Sequence, residues 1–568
     1  MPPADLGAKA TFWVGKGEGI AAERYLAAAD RIADGWLDVH ALRGVDLGTP
    51  PRWNRDPKTG IEAPLAFGKT LDCANADLVG DIEYLREVNR HRHVVTLAQA
   101  YALAGRRRHA EALAEHLESW IIACPYGRGA NWSSACEAAR RLAHWSVAWQ
   151  LVGGAGGALL ERHAALREAW LRSAYEHAYF IRGWLSLHGP DLRPLVVEAA
   201  SVFQAALTWP HWPQAREWCA SAKRILEDAS RLAFHPRLLG PLLACLVAGR
   251  ANQEWFSADF EARLEALLDY VSSMMDAGGH VLMHGEGEAF GPLLASGAIL
   301  FQRGDFKQKA GRLADATRWL LGADAEAAYR ELDVEKTRLP VRQSFPEDGT
   351  YVMGVELDAP GEIRLVAATA SLGFALSVGG RELLVDPGTY PEPGRNAWRR
   401  YFNSAAARNG LRVDALEPAR APSGCSLWLS SAQKDIFEGW RDGYLGLGDP
   451  VKHRRLIELD KLARRLVIED TLEMEEDHQV ELYFHCHEDC VVEPLESGFL
   501  IVRGTRRLQL ALPQASGARS LVYRGSLVPI AGWVSRGFDQ RVPAATLVWQ
   551  ARLAGRSVLR TEIAITQE

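Results

Sequence analysis

No stretch of this 568-residue chain approaches the roughly 20 consecutive apolar residues that a membrane-spanning helix needs. No membrane span is therefore expected. The eight cysteines (73, 124, 136, 219, 245, 425, 486 and 490) include no CxxC pair. Scattered in this way, they are expected to be mostly buried thiols of a reducing compartment. Positive charge is in deficit, with 65 Lys and Arg against 71 Asp and Glu, a net charge of −6. Such a chain has no global attraction for nucleic acid. The start, MPPADLGAKATFWVGKGEGIAAERYL, lacks a basic segment followed by an apolar one, so no secretory signal and a cytoplasmic location are expected. No clean fixed-length repeat is visible, which disfavours a tetratricopeptide-type array. Hydrophobic residues are 48% and charged residues 24%, which excludes a disordered chain, a collagen and a coiled-coil rod.

Tryptophan is abundant, with 19 copies. Its flat apolar face and single N–H suit stacking on sugars, but most of these indoles are expected to fill a helical core. From about residue 20 to 330, Ala and Leu recur at helical spacing, as in 94–103, 110–122, 135–151 and 159–179. Gly153-Gly154, Gly189-Pro190, Pro210 and Gly278-Gly279 punctuate them. Antiparallel helical hairpins follow, in an open solenoid or a closed toroid; periodicity does not separate the two. Near residue 340 the pattern becomes short β-branched runs: 351–355, 362–366, 382–385, 454–458, 466–468, 480–485, 499–502 and 508–512. Regular short strands with Gly, Pro and Asp turns predict an antiparallel β-sandwich. Two regions are expected, helical over 1–335 and β over 340–568, with the joint in the charged stretch 324–342.

Four segments carry candidate chemistry. Asn89-Arg90-His91-Arg92-His93, read as opening a helix, gathers cations and donors where an anion would be favoured, or is a solvated basic turn. The loop Pro125-Tyr126-Gly127-Arg128-Gly129-Ala130-Asn131-Trp132 feeds a helix with Glu137, Arg140 and Arg141. Asn131 and Trp132 pair an amide with a stacking face, which suits a sugar or a capped helix with a buried Trp. Asp276-Ala277-Gly278-Gly279-His280, followed by His284-Gly285-Glu286-Gly287-Glu288, holds carboxylates and imidazoles fit for acid–base work or for a polar connection. The fourth is RELLVDPGTY (381–390), then Trp398-Arg399-Arg400-Tyr401-Phe402-Asn403 and Arg408-Asn409-Gly410-Leu411-Arg412-Val413-Asp414, alternatively an ordinary strand–turn–strand passage.

In this order, from about Trp53 to the C-terminus, the segments resemble the heparinase II/III-like polysaccharide lyases. VDPGTY and NRHRH are the most specific pieces. The resemblance implies an α+β multidomain fold, an incomplete (α/α) toroid followed by an antiparallel β-sandwich. It implies β-elimination on a uronate-containing, acidic polysaccharide or oligosaccharide held between the two regions, and offers the periplasm as the alternative location. Elimination needs a group that neutralises the C5 carboxylate, a base for the adjacent proton and an acid for the leaving oxygen.

The sequence departs from the family at those positions. The family's N-N-H-L-I-G-E-A segment falls on Leu192-Arg193-Pro194-Leu195-Val196-Val197-Glu198-Ala199, leaving Arg193 to replace the neutralising Asn. The loop that carries Tyr and His becomes His284 to Gly291, with no recognisable Tyr. H-G-H-A-D becomes Ala368-Thr369-Ala370-Ser371, and the His before the V-D strand becomes Arg408. Asp386 remains, but the zinc of some members has no obvious ligands; Arg408 is its expected charge partner. No cofactor and no metal are expected, His485 and His487 lying on one strand face and Cys486 on the other. Candidate catalytic residues are His284, Glu286, Glu288 and Tyr401. Candidate substrate-binding residues are Asn89, Arg90, His91, His93, Asn131, Trp132, Glu137, Arg140 and Arg193. The six residues Asn89, Arg90, His91, Asn131, Trp132 and Arg140 are expected to line one concave surface. A glycan-binding relative without catalysis, tied to surface-polysaccharide assembly, and a hydrolase using paired Glu are the alternatives. The sequence sets no oligomeric state.

Overall fold

The computed structural model describes residues 12–48, 51–229, 235–283, 290–390 and 397–567. They divide into two compact units, one within Met1–Leu268 and Gly291–Arg338, the other within Asp269–Phe290 and Leu339–Glu568.

The first unit is an incomplete (α/α) toroid. Alternate helices pack in series: Arg92–Ala104 on Ala135–Leu151, that helix on Arg193–Thr208, then Leu239–Ala251 and Gly291–Phe301. Between them Arg107–Ala123, Ala164–Gly183 and Ala215–Ala229 pack on the series from one side each. The later helices of the series, Arg193–Thr208, Leu239–Ala251 and Gly291–Phe301, carry few charged residues, as helices enclosed by others must. In Arg193–Thr208 every residue from Glu198 to Thr208 is buried. Local signals set the ends: Ser134 accepts the Glu137 N–H at 3.3 Å, Pro194 sits in the first turn of its helix, and Gly105 (φ 65°) stops Arg92–Ala104. A hairpin, Trp36–Val39 with Leu42–Asp46, interrupts the helical pattern. Among the described residues no helix is long and apolar enough to cross a membrane.

The second unit holds a five-stranded antiparallel sheet (from Ser344–Phe345 to Glu382–Leu384), a four-stranded sheet and an eight-stranded sheet. The four-stranded sheet runs Arg519–Arg524, Ala545–Leu553, His478–His485, Leu411–Val413. One core joins all three, through Met353 and Leu376, Leu482 and Leu547, and Ile457 and Ile563. Thr350–Val355 is buried on both faces, whereas Val451–Asp460 alternates, so one sheet lies inside and another has a solvent face.

Residues 269–283, which begin in the last turns of the helix Ala258–Met274, pack with the strands of the second unit. Arg364 donates to the Ser273 carbonyl, Ser377 Oγ to Asp276 (2.5 Å) and the Ala277 N–H to Glu362 (2.5 Å). Asp276 also accepts the Gly278 and His280 N–H groups, each at 2.9 Å. The Asp-Ala-Gly-Gly-His segment is thus a carboxylate-capped turn.

Candidate functional site

The NRHRH segment does not open a helix. Asn89 closes Ile82–Asn89, His91 breaks the path with a left-handed φ of 61°, and Arg92 starts the next helix. Asn89, His91, His93, Asn131 and Trp132 do come together, but in the core of the helical unit, each at most 6% exposed. They line no surface, which corrects the expectation. Asn89 Nδ2 donates to the Trp53 and Leu85 carbonyls (2.9 and 2.8 Å), and its Oδ1 accepts the Trp120 N–H at 2.8 Å. His91 Nδ1 accepts the Trp145 N–H at 2.8 Å. His93 stacks on Trp53. Asn131 Nδ2 faces Asn54 Oδ1 (3.3 Å), and the Trp132 N–H donates to the Cys124 carbonyl at 3.0 Å.

The hub of this cluster is Arg141, one position beyond the Arg140 favoured from sequence. Its Nε donates to His177 Nε2 (2.8 Å), and its two terminal nitrogens donate to the Asn89 and Asn131 carbonyls (3.2 and 3.0 Å). The guanidinium lies 4.4 Å from the centre of the Trp120 ring. Burial lowers its pKa to about 10. A sequence signal existed: Ala138, Leu142 and Trp145 place position 141 inside the buried stripe of its helix. Burial also pushes His91, His93 and His177 well below 6.5, and His116 to about 4.

Arg90 and Glu137 form a fork-to-fork pair at the edge of this core, at 2.6 and 2.9 Å, with Glu87 on the remaining Arg90 nitrogen at 2.6 Å. Burial works against the charge of Glu137, yet Arg90 holds its carboxyl down at about 2. Arg140 is a half-exposed third member, 3.7 Å from Glu137. This arrangement neutralises itself rather than offering charge to a ligand.

In the β-unit, Tyr401 packs with Tyr390, Phe402 and Ala407. Its hydroxyl is buried and makes no hydrogen bond. Burial raises its pKa, while the neighbouring Thr546 hydroxyl and the backbone at Trp533 act in the opposite direction. Beside it opens a cavity of about 860 Å³ bordered by Arg399, Arg400 and Asn403. His284, Glu286 and Glu288 lie outside the described residues.

A family model described as heparinase II/III N-terminus matches residues 48–236, and one described as heparinase II/III-like, C-terminal, matches 368–563. Between them they take in well over half of the chain. The chain belongs to the heparinase II/III-like family. The crystal structure of heparinase III superposes with a TM-score of 0.73 at 14% identity, over 98% of this chain and 88% of that one. Heparan sulfate lyase from Pedobacter heparinus gives 0.61 at 13%, over 100% and 85%. Chondroitin AC lyase from Streptomyces coelicolor A3, in complex with chondroitin sulphate, gives 0.56 at 11%, over 98% and 81%. At these identities the likeness is one of fold. No curated protein sequence matches the chain.

Arg193, Glu198 and Arg408, which the sequence reading sets at family motif positions, each make contacts within the chain. Arg193 forks onto Asp191, from Nε at 2.9 Å and from a terminal nitrogen at 2.8 Å, and reaches His235 at 3.2 Å. Glu198 is 1% exposed and accepts both the N–H and the hydroxyl of Ser186 at 2.8 Å. Burial raises its pKa despite these bonds. Arg408 stands 3.4 Å from Asp386, the charge partner expected from sequence, and Asp386 also accepts the Gly388 N–H at 2.9 Å. Zinc does not fit there: the family's histidine positions hold Ala, Thr and Arg, and the retained carboxylate faces a guanidinium. His485 sits nearby, its pKa lowered to about 3 by burial and by Arg408, an environment hostile to a cation. Among the described residues no group of three or more His, Cys, Asp or Glu is placed to hold a metal ion.

Proposed function

We propose that this heparinase II/III-like protein binds an acidic, uronate-containing polysaccharide and that β-elimination by it is weak or absent. Membership of the family supports the glycan. The observation that carries the second half is the engagement of Arg193. The residue standing where the family places its carboxylate-neutralising Asn is already forked onto Asp191. Without neutralisation the C5 proton stays weakly acidic, and removing one member of a catalytic unit already forfeits most of the rate. Tyr401 adds to this, since a buried phenol with raised pKa and no acceptor is a poor base at neutral pH. Hydrolysis by a carboxylate pair is less favoured for Glu198, which is bound to Ser186.

Incubation with heparan sulfate, hyaluronate and alginate, followed by ultraviolet absorbance of unsaturated uronate and by reducing-end assay, tests the reading. Retention of the protein by one of these glycans with little of either product is expected. Robust unsaturated product from the wild-type chain would overturn it, and its survival in Glu288→Gln combined with Tyr401→Phe would place the active site elsewhere.

A further inference from the structure

The helical unit buries many of its aromatic side chains, yet Phe67, Tyr126, Tyr179 and Trp184 are between 43% and 60% exposed. They come from three segments that are tied together. The Gly68 N–H donates to the Gly127 carbonyl (2.8 Å) and the Gly129 N–H to the Ala66 carbonyl (2.7 Å), which joins the loop 65–70 to the loop 125–133. A Cβ on Gly68 would stand 2.7 Å from the Trp132 carbonyl, so glycine is what lets the loops approach this closely. The Phe67 ring reaches to 3.8 Å of where a Cβ on Gly127 would be, next to Tyr126. The end of the helix Ala164–Gly183 supplies the third segment. There Phe180 meets Tyr126 and Trp132 edge-on at 6.3 and 5.2 Å, and Trp184 lies under the Lys69 ammonium, 4.7 Å from its ring centre. Burial, then Tyr179 and Glu176, raise the pKa of Tyr126, which puts Tyr179 in the same patch. The rings thus stand over Trp132 and the buried Arg141 cluster, which holds their loops in place.

Two cations stand among these rings. Arg128 is exposed, and its guanidinium makes no hydrogen bond or ion pair with the described residues. Lys69 Nζ donates to the Ser133 carbonyl (3.1 Å) and has no carboxylate within 4.0 Å among the described residues. The carboxylates nearby are engaged. Glu198 accepts the N–H and the hydroxyl of Ser186, and Glu176 shares the field of Arg172, one turn before it on the same helix. Neither the Tyr126 nor the Tyr179 hydroxyl forms a hydrogen bond within the described residues, so both are open to hydroxyl groups of a ligand. Clustered exposed rings mark a docking surface. Their flat faces match the C–H faces of pyranose rings, and charge complementarity with Lys69 and Arg128 selects an acidic chain over a neutral one.

We propose that this aromatic shelf is where the helical unit holds an acidic saccharide chain, its sugar rings on Phe67, Tyr126, Tyr179 and Trp184 and its carboxylate or sulfate groups at Lys69 and Arg128. The assignment rests on the acidic-glycan reading above and adds the place and the groups. It is tested by calorimetric titration of the full chain with hyaluronate and heparin hexasaccharides, with cellohexaose as the neutral comparator. Phe67→Ala combined with Trp184→Ala removes two exposed rings and is expected to weaken binding of an acidic hexasaccharide about ten-fold or more. Trp184→Phe, which keeps a ring, is expected to retain most of the affinity. Arg128→Glu, at an exposed side chain, is expected to weaken acidic hexasaccharides about three-fold or more and to lower the salt dependence of binding. Cellohexaose is expected to bind more weakly than either acidic sugar. Wild-type binding left intact by the ring double variant and by Arg128→Glu overturns the shelf and spares the acidic-glycan reading, whereas no binding to either acidic hexasaccharide overturns both. Cellohexaose bound as tightly as the acidic sugars overturns the role of the cations. Light scattering that finds a wild-type dimer and a monomeric ring double variant would give the patch to a second copy of the chain and overturn the saccharide.

Discussion

Mild acid should dismantle the helical unit through its buried imidazoles. His91, His93, His116 and His177 are held neutral by burial, each below the 6.5 of a free side chain. The charges bearing on them sharpen the effect: Arg141 faces His91 and His177, and the histidines oppose one another's protonation. His177 has no nitrogen to spare, because Nδ1 donates to the Ser173 carbonyl (2.6 Å) and Nε2 accepts from Arg141 (2.8 Å). The folded pKa values are depressed, so the unfolded chain binds more protons below 6.5. The stabilisation is complete above that pH and is lost as pH falls through it towards about 4, the folded value of His116. Each such histidine costs about 1.2 kcal/mol between about pH 6 and pH 5, so the four together cost about 5 kcal/mol, comparable with the whole stability of a domain. The assay is urea unfolding followed at 222 nm, where helix dominates, at half-unit pH steps from about 8 to 5. The transition should collapse between about pH 6 and 5, and His116→Gln should reduce the pH slope by about one proton. A midpoint that stays level down to about pH 5 would refute the argument, since the imidazoles would then be protonated in the folded state at little cost.

Asp470 is buried between Arg455 (2.8 Å) and His453 (2.7 Å); burial opposes its charge, but Arg455 above all holds its pKa at about 2. Asp470→Asn should cost about 3–5 kcal/mol by strand the guanidinium without its counter-charge, read as a lower urea midpoint of the β-unit. A Cβ on Gly68 would sit 2.7 Å from the Trp132 carbonyl, so Gly68→Ala should destabilise the helical unit by about 1–3 kcal/mol, and an unchanged midpoint would show that the loop yields freely. Protein purified from zinc-supplemented cells should carry no stoichiometric zinc at Asp386; elemental analysis finding one equivalent that disappears in Asp386→Ala would contradict the Arg408 pairing.

The sequence alone determined the division into a helical part and a β part, because the switch from a 3.6-residue to a 2-residue period is a local property. The family resemblance pointed to the Asp386–Arg408 pair, whose members stand 3.4 Å apart. The sequence placed several strands, since 466–468 lies inside Arg465–Glu473 and 480–485 inside His478–His485, but left Lys434–Tyr444, Ala545–Leu553 and Arg556–Gln567 unread. Only the tertiary structure decided what the motif residues do. Asn89, His91 and Asn131 look like ligand-binding groups in any local window, but Trp53, Trp120 and Trp145, from three separate segments, close over them. Only the tertiary structure, too, grouped residues 269–283, the end of a helix and the turn after it, with the second unit, through bonds to Glu362, Arg364 and Ser377 some 85 to 101 positions away. Burial is set by what packs from far along the chain, and a polar side chain becomes structural or functional according to whether that packing satisfies it or leaves it facing solvent.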